Sequence, residues 1–305
     1  MTAAPRRAAL ILVPVAMLLA WHFQLLPLAW HWAGMQGRAA QWQHRSLWLP
    51  HYRVGIEARP IEGLADNLSG LTYNAATGTL FTVINRPAQV AELTTDGRLL
   101  RRMPLAGVPD PEGIAHVRND LYVIAGEREG RLHWVRIGPG QTEVSVAHAP
   151  SLGLGADTLL NHGLEGVSWD EATRRLFVAQ EKWPRRVLVL DGMDDTPARP
   201  RVREWHPAGF GALPLGDLSS LTVHDPSGHL LLLSEESALL TEYAPDGTLV
   251  SLLPLWRGMH GLRHKVPQPE GVAVGARGEL YIVSEPNLFY RFEKPGMALA
   301  AADPA

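Results

Sequence analysis

One six-residue phrase returns five times along the chain, and its second residue is where chemistry is concentrated. The phrase reads Leu68-Ser-Gly-Leu-Thr-Tyr73, Pro111-Glu-Gly-Ile-Ala-His116, Leu164-Glu-Gly-Val-Ser-Trp169, Leu218-Ser-Ser-Leu-Thr-Val223 and Pro269-Glu-Gly-Val-Ala-Val274. The second position is Ser69, Glu112, Glu165, Ser219 and Glu270, at spacings of 43, 53, 54 and 51 residues. If the repeat carries equivalent positions round one axis, three carboxylates share a narrow space. Carboxylates held that close either keep protons or attract a cation. The chain has no cysteine, so zinc ribbons, iron–sulfur clusters and thiol nucleophiles are excluded together. An oxygen-only donor set suits a hard ion, Ca2+ ahead of Mg2+, because Ca2+ accepts about 6–8 oxygens in loose geometry. Asn67 and Asp217 stand just before the two serine versions of the phrase and can supply oxygens where the glutamate is missing. The expected metal set is therefore Glu112, Glu165, Glu270, Asp217 and Asn67. The alternative is a water-filled polar channel in which each glutamate caps backbone amides.

A second acidic set follows each repeat's next apolar run: Glu181, Glu235 and Glu285, with Asn85 at the matching place and Glu127 one residue off. Four of these, Asn85, Glu181, Glu235 and Glu285, are expected at one rim of the channel, as a second ligand shell or as polar loop ends. Asp110 and His162, beside the Glu112 and Glu165 phrases, are the groups that would serve a reaction at the channel mouth.

The elements that must position these residues are strands. Apolar, β-branched or aromatic runs follow each phrase, among them Leu80-Phe-Thr-Val-Ile-Asn85, Leu121-Tyr-Val-Ile-Ala125 and Leu280-Tyr-Ile-Val-Ser284. Such runs between turn residues read as strands buried on both faces. Ala76-Thr-Gly78, Thr95-Asp-Gly97 and Pro245-Asp-Gly247 supply hairpin turns. Short antiparallel strands at this period predict an all-β, five-bladed β-propeller of four-stranded blades. The last unit stops near Phe292, so residues 52–61 are expected to close its blade from the other terminus. Residues 183–215 are expected to form a loop and the outer strands of the third blade.

The N-terminus is a separate problem. Arg6 and Arg7 precede an apolar run, and residues 8–28 make up 21 residues. That length spans a hydrocarbon core of about 30 Å as a helix. Basic residues ahead of it predict a cytoplasmic start. The expected organisation is a cytoplasmic stub and transmembrane signal anchor over 1–33 and a juxtamembrane linker over 34–50. The propeller follows over 51–293, and a flexible tail over 294–305. This makes a single-pass protein of a bacterial inner membrane, with the propeller facing the periplasm. A cleaved signal peptide and a buried helix are the rivals. Trp21, Trp30 and Trp32 suit the outer interface, and the linker's aromatics touch headgroups or pack on the domain. The formal net charge of −3 argues against nucleic acid as a partner.

Several blocks resemble the SdiA-regulated (YjiK-like) family: Leu47-Trp-Leu-Pro50, Asn67-Leu-Ser-Gly-Leu-Thr72, Val83-Ile-Asn-Arg-Pro87, Asp110-Pro-Glu-Gly-Ile114 and Ser284-Glu-Pro-Asn-Leu-Phe-Tyr290. The resemblance spans about residues 47–293. It implies a five-bladed propeller distantly similar to NHL repeats, behind an N-terminal membrane segment, with calcium in the propeller. Distantly similar propeller lactonases place a glutamate of a Glu-Gly phrase on their channel metal. Glu112, Glu165 and Glu270 match that phrase, and Ser69 and Ser219 depart from it. The expected function is a calcium-binding recognition or scaffold module for an envelope protein or small-molecule ligand, without catalysis. A metal-dependent lactonase- or phosphoesterase-like hydrolase is the alternative.

Overall fold

A computed structural model describes residues 14, 18, 20, 25–154, 163–181, 184–192, 200–209 and 213–295. After helix α1 (Leu25–Trp42) and a single 3-10 turn (Leu49–His51), the chain is built of strands. β1 is Arg53–Pro60. Blade one holds β2 (Leu68–Asn74), β3 (Thr79–Ile84), β4 (Gln89–Leu93) and β5 (Leu99–Ala106). Blade two holds β6 (Pro111–Arg118), β7 (Leu121–Gly126) and β8 (Arg131–Arg136). Beyond it come the short β9 (Val144–Ser145) and β10 (Ser151–Gly153). Blade three is β11 (Leu164–Asp170), β12 (Arg175–Gln180), β13 (Arg186–Asp191) and β14 (Arg201–Trp205). Blade four is β15 (Ser220–His224), β16 (His229–Ser234), β17 (Leu239–Tyr243) and β18 (Leu249–Pro254). Blade five is β19 (Pro269–Val274), β20 (Leu280–Ser284) and β21 (Leu288–Glu293).

The five sheets are a five-bladed propeller. β1 pairs antiparallel with β21 and becomes the outer strand of blade five, so the two ends of the domain close the ring together. This gives blade five its fourth strand, and β1 is the short outer edge that remains. The apolar faces pack between neighbouring blades in five clusters. Leu80, Leu93, Val283 and Phe289 join blades five and one, for example, and Leu232, Leu253, Val272 and Ile282 occupy two further interblade cores. This explains why the strands are apolar on both faces: each face of an inner sheet meets another blade.

The glycine of the phrase is explained by the channel. Inner strands of adjacent blades approach backbone to backbone. A Cβ on Gly166 would lie 2.8 Å from the Leu221 nitrogen, and one on Gly271 would lie 2.7 Å from the Gly70 carbonyl carbon. Backbone cannot swing aside as a side chain can, so Gly166→Ala is expected to destabilise the fold by about 1–3 kcal/mol, as overpacking does. A melt of Gly166→Ala beside Gly78→Ala is the check. Gly78 has nothing within 4 Å of its added Cβ, and its penalty comes from a φ of +66° alone. If both variants melted with the parent, close approach would not be why the phrase carries glycine.

No described helix is long and apolar enough to cross a membrane. Most of residues 8–28, where the anchor is expected, lie outside the described residues. Residues 34–50 pack on the domain. Met35 is buried in the core between blades three and four, with Leu28, Ala39 and Trp42 packed against it. These contacts recur at helical spacing, so one stripe of α1 faces the propeller. Leu47, Trp48 and Leu49 are buried as well.

Candidate functional site: an acidic bowl at the channel mouth

Because the first strand of every blade lines the channel, the second positions of the five phrases converge. Ser69, Glu112, Glu165, Ser219 and Glu270 line one bowl of about 220 Å3, together with Asn85, Glu181, Asp217, Glu235, Gln268 and Glu285. All eleven are polar, and seven are carboxylates. The bowl thus holds the rim residues expected from sequence alongside the channel glutamates. Asn67, Asp110 and Glu127 are not among the lining residues, and the last two reach the site through Glu112. Asn67 adopts a φ of 62°, and its carbonyl accepts the Asn85 amide at 3.2 Å.

That backbone bond is a repeated device. The amide of the rim residue donates to the carbonyl just before the phrase in four blades. Asn85 bonds Asn67, Glu127 bonds Asp110 at 3.0 Å, Glu181 bonds Gly163 at 3.3 Å and Glu285 bonds Gln268 at 3.1 Å. Glu127 is therefore the rim residue of blade two, although by sequence it stands one residue off. A register shift between His116 and Arg118 absorbs the extra residue. Gln268 was missed by the sequence reading. It occupies the place that Asn67, Asp110 and Asp217 hold in their blades, so aligning the residue before each phrase is the signal that finds it.

The two serines have a definite task. The Ser69 hydroxyl donates to the Glu112 carbonyl at 3.1 Å, and that of Ser219 donates to the Pro269 carbonyl at 2.7 Å. Each serine braces the backbone that presents the next blade's glutamate. Asp217 is also held firmly. It is buried, accepts from the Ser234 hydroxyl, and accepts the Glu236 amide at 3.2 Å.

Glu112 sits at the most crowded part. Its Oε1 accepts from Asn85 Nδ2 at 2.9 Å. One oxygen each from Asp110, Glu112 and Glu127 lie within 4.8 Å of one another. That is the span of ligands around a shared Ca2+ with bonds of about 2.3–2.6 Å. Asp110 is partly balanced by Arg128 at 3.2 Å and Arg86 at 3.5 Å. Even so, Asp110 Oδ1 and Asn85 Oδ1 are buried without a hydrogen-bond partner. Two orphaned acceptors beside a glutamate are a costly arrangement for a protein alone, and a natural one for cation ligands. The donor set therefore fits a hard cation. His162 lies outside the described residues.

Crowding shifts the titrations. Burial, then repulsion from Glu112, Glu127, Glu181 and Glu270, raises the Glu165 carboxyl well above its usual range. Burial, then Glu235, Glu285, Glu112 and Asp217, pushes Glu270 up to about 9. Burial, then Glu112, Asp110 and Glu181, pushes Glu127 up to about 7. Glu112 is raised by burial and by the Asp110 charge, against the hydrogen bond from Asn85. These groups keep protons in the fold that the unfolded chain releases above about pH 4.3. His116, His133 and His224, held low by burial, work the other way below about pH 6.5, so the metal-free protein should lose stability as pH rises from about 7 to 9. Carboxylates of the opposite kind, such as Asp191 held low by Arg175 and Arg203, titrate below that window. Melts in chelator at about pH 7 and pH 9 test this. The lower melting temperature is expected at the higher pH, and a flat or rising trend contradicts it.

The model of the SdiA-regulated family matches residues 44–293. Among solved structures, a luciferin-regenerating enzyme is similar at 13% identity and a TM-score of 0.51, covering 79% of this chain and 96% of that one. The glutaminyl cyclase of Myxococcus xanthus is similar at 15% identity and a TM-score of 0.56, covering 79% of this chain and 95% of that one. At these identities the likeness shows the propeller fold and nothing of the chemistry.

Proposed function

The chain belongs to the SdiA-regulated family, and from that premise we propose that it is a calcium-binding recognition module, exported and tethered to the bacterial inner membrane by its N-terminus. Asp110, Glu112, Glu127 and the open oxygen of Asn85 would hold the ion, with Glu165 and Glu270 contributing from the channel side. When bound, Ca2+ supplies a fixed positive centre able to accept further oxygen ligands from an envelope protein or a small molecule. This chain's own residues do the rest. Ser69 and Ser219 fix the backbone, and Asn85 orients the Glu112 carboxylate.

The observation that carries the proposal is the convergence of seven carboxylates on a bowl with no apolar residue in its lining. Sites that hold an organic substrate for reaction are usually lined in the main by apolar and aromatic side chains. This bowl is built to hold charge. Equilibrium dialysis with radioactive calcium tests the proposal on the full chain, with magnesium as competitor. The expected result is saturable uptake that magnesium displaces only in large excess. Uptake no greater than for a serum albumin control would remove the proposal's basis.

Hydrolysis of a lactone or phosphoester is the second reading. It is favoured by Glu127, a half-buried carboxyl at the edge of the cluster that burial and neighbouring carboxylates push up to about 7 in the ion-free site, within reach of general acid–base work. Calcium-dependent turnover on a lactone and phosphoester panel, abolished in Glu127→Gln while calcium uptake persists, would decide for it.

A further inference from the structure

Blade two departs from the regular pattern. After β8 the chain leaves the blade. β9 pairs in parallel with β5 of blade one, Leu105 opposite Val144 and Ala106 opposite Ser145. The chain then returns as β10, which pairs with β8. Val146 N bonds Ala106 O at 3.0 Å, and Trp134 N bonds Pro150 O at 2.9 Å, so both ends of this strap are tied down. Between the strap and blade two lies a cleft of about 470 Å3. That volume is in the range of small-molecule sites, about 300–1,000 Å3.

The lining joins two chemistries. Arg118, Arg136 and His148 supply cationic or proton-donating groups, while Leu121 and Trp134 form an apolar wall. Asp120 pairs with Arg136, so a carboxylate already stands at this edge of the cleft and an incoming anion shares the Arg136 donors with it. The cleft is far from the acidic bowl. Leu121 lines the cleft, and β7 runs from there to Gly126, the neighbour of Glu127. Five strand steps at about 3.3 Å put the two sites at opposite ends of the blade.

We infer that this cleft is a second binding site, for a small amphiphilic anion: a carboxylate, sulfonate or phosphate on an apolar or aromatic body. The guanidinium groups take the anionic group in charge-assisted hydrogen bonds, and the Trp134 wall takes the body.

Calorimetric titration of the full chain in dodecyl maltoside tests this, with naphthalenesulfonate as probe, naphthalenesulfonamide as its uncharged counterpart, and protein-free micelles as blank. The expected result is saturable binding of the sulfonate and binding of the sulfonamide weaker by about tenfold or more. Arg118→Gln and Arg136→Gln should each weaken sulfonate binding by a similar factor. Ala147→Trp, which fills the cleft and keeps both charges, should abolish it. Glu112→Gln should leave it intact. Circular dichroism confirms that each variant is folded. Displacement by dihexanoylphosphatidylglycerol marks a lipid headgroup as the source, and failure to displace marks a soluble organic anion; both outcomes keep the cleft. Equal binding of the two probes, binding that survives Ala147→Trp in a folded protein, or no saturable binding at millimolar probe overturns the inference.

Discussion

Glu242→Ala should lower the stability of the folded chain by about 3–5 kcal/mol, the usual effect of removing one partner from a buried charged network. Glu242 is fully buried in β17 and uses both oxygens. Oε1 accepts from the Leu47 amide at 2.8 Å and His229 Nδ1 at 2.9 Å. Oε2 accepts from the Trp48 amide at 3.1 Å and the Ser251 hydroxyl at 2.6 Å. Two of these four donors belong to the segment that joins α1 to β1. Trp42, at the end of α1, meets the His229 ring edge-on at 5.7 Å. One carboxylate therefore fastens the upstream chain to blade four. Its loss strands the buried Leu47 amide, at about 1–3 kcal/mol, and leaves the Trp48 amide only the Ser46 hydroxyl at 3.0 Å. For a domain of this size each kcal/mol is worth about 2–4 °C, so the melting temperature should fall by roughly 6–20 °C. Hydrogen exchange at Leu47 and Trp48 should accelerate as well. A Glu242→Ala protein that melts with the parent and keeps that protection would show that the segment is held by its apolar contacts alone.

Glu165→Gln should produce two effects of opposite sign. Glu165 faces repulsion from four other glutamates. Burial and that repulsion make Glu165 take up a proton on folding, which an uncharged amide need not do, so the metal-free protein should become more stable at about pH 8. The same change removes a charge that holds the ion. Loss of even an outer partner of a metal ligand weakens binding by about 10–100-fold, so calcium affinity should fall by at least that much. Melts of parent and variant, each in chelator and in excess calcium, separate the two effects. Raised metal-free stability with a reduced calcium response is expected. A variant less stable in chelator, with its calcium response unchanged, would mean that Glu165 has a purely structural role.

Much of this was legible in the sequence because a propeller converts repetition into convergence. The Glu-Gly phrase marked the inner strands, and the apolar runs after it marked their hairpin partners. Residues just beyond those runs, Asn85, Glu181, Glu235 and Glu285, reach the bowl because antiparallel pairing returns the chain to the same mouth. Two kinds of feature were not legible. Glu242 sits in Leu239-Leu-Thr-Glu-Tyr243, which reads as an ordinary third strand, and its amide partners lie 194 and 195 residues earlier. No local pattern announces a bond of that span. The cleft under the strap arises where blade two breaks the repeat, so repetition is silent there. Arg118 and Arg136 end different strands, and only the folded blade brings them to one cavity. Asn67 shows a third limit. It was read as an oxygen donor to the ion, and no local pattern signals that its backbone carbonyl accepts the Asn85 amide.

The most direct test of the calcium bowl is calorimetric titration of Ca2+ into the chelator-stripped full chain, with melts run in parallel and Glu112→Gln beside the parent. The account predicts saturable heat, a raised melting temperature that grows with pH between 6 and 8.5, and loss of both in Glu112→Gln. Neither heat nor a shift in melting temperature at millimolar calcium would contradict it, and the acidic bowl would then be a polar channel that holds its protons instead of an ion.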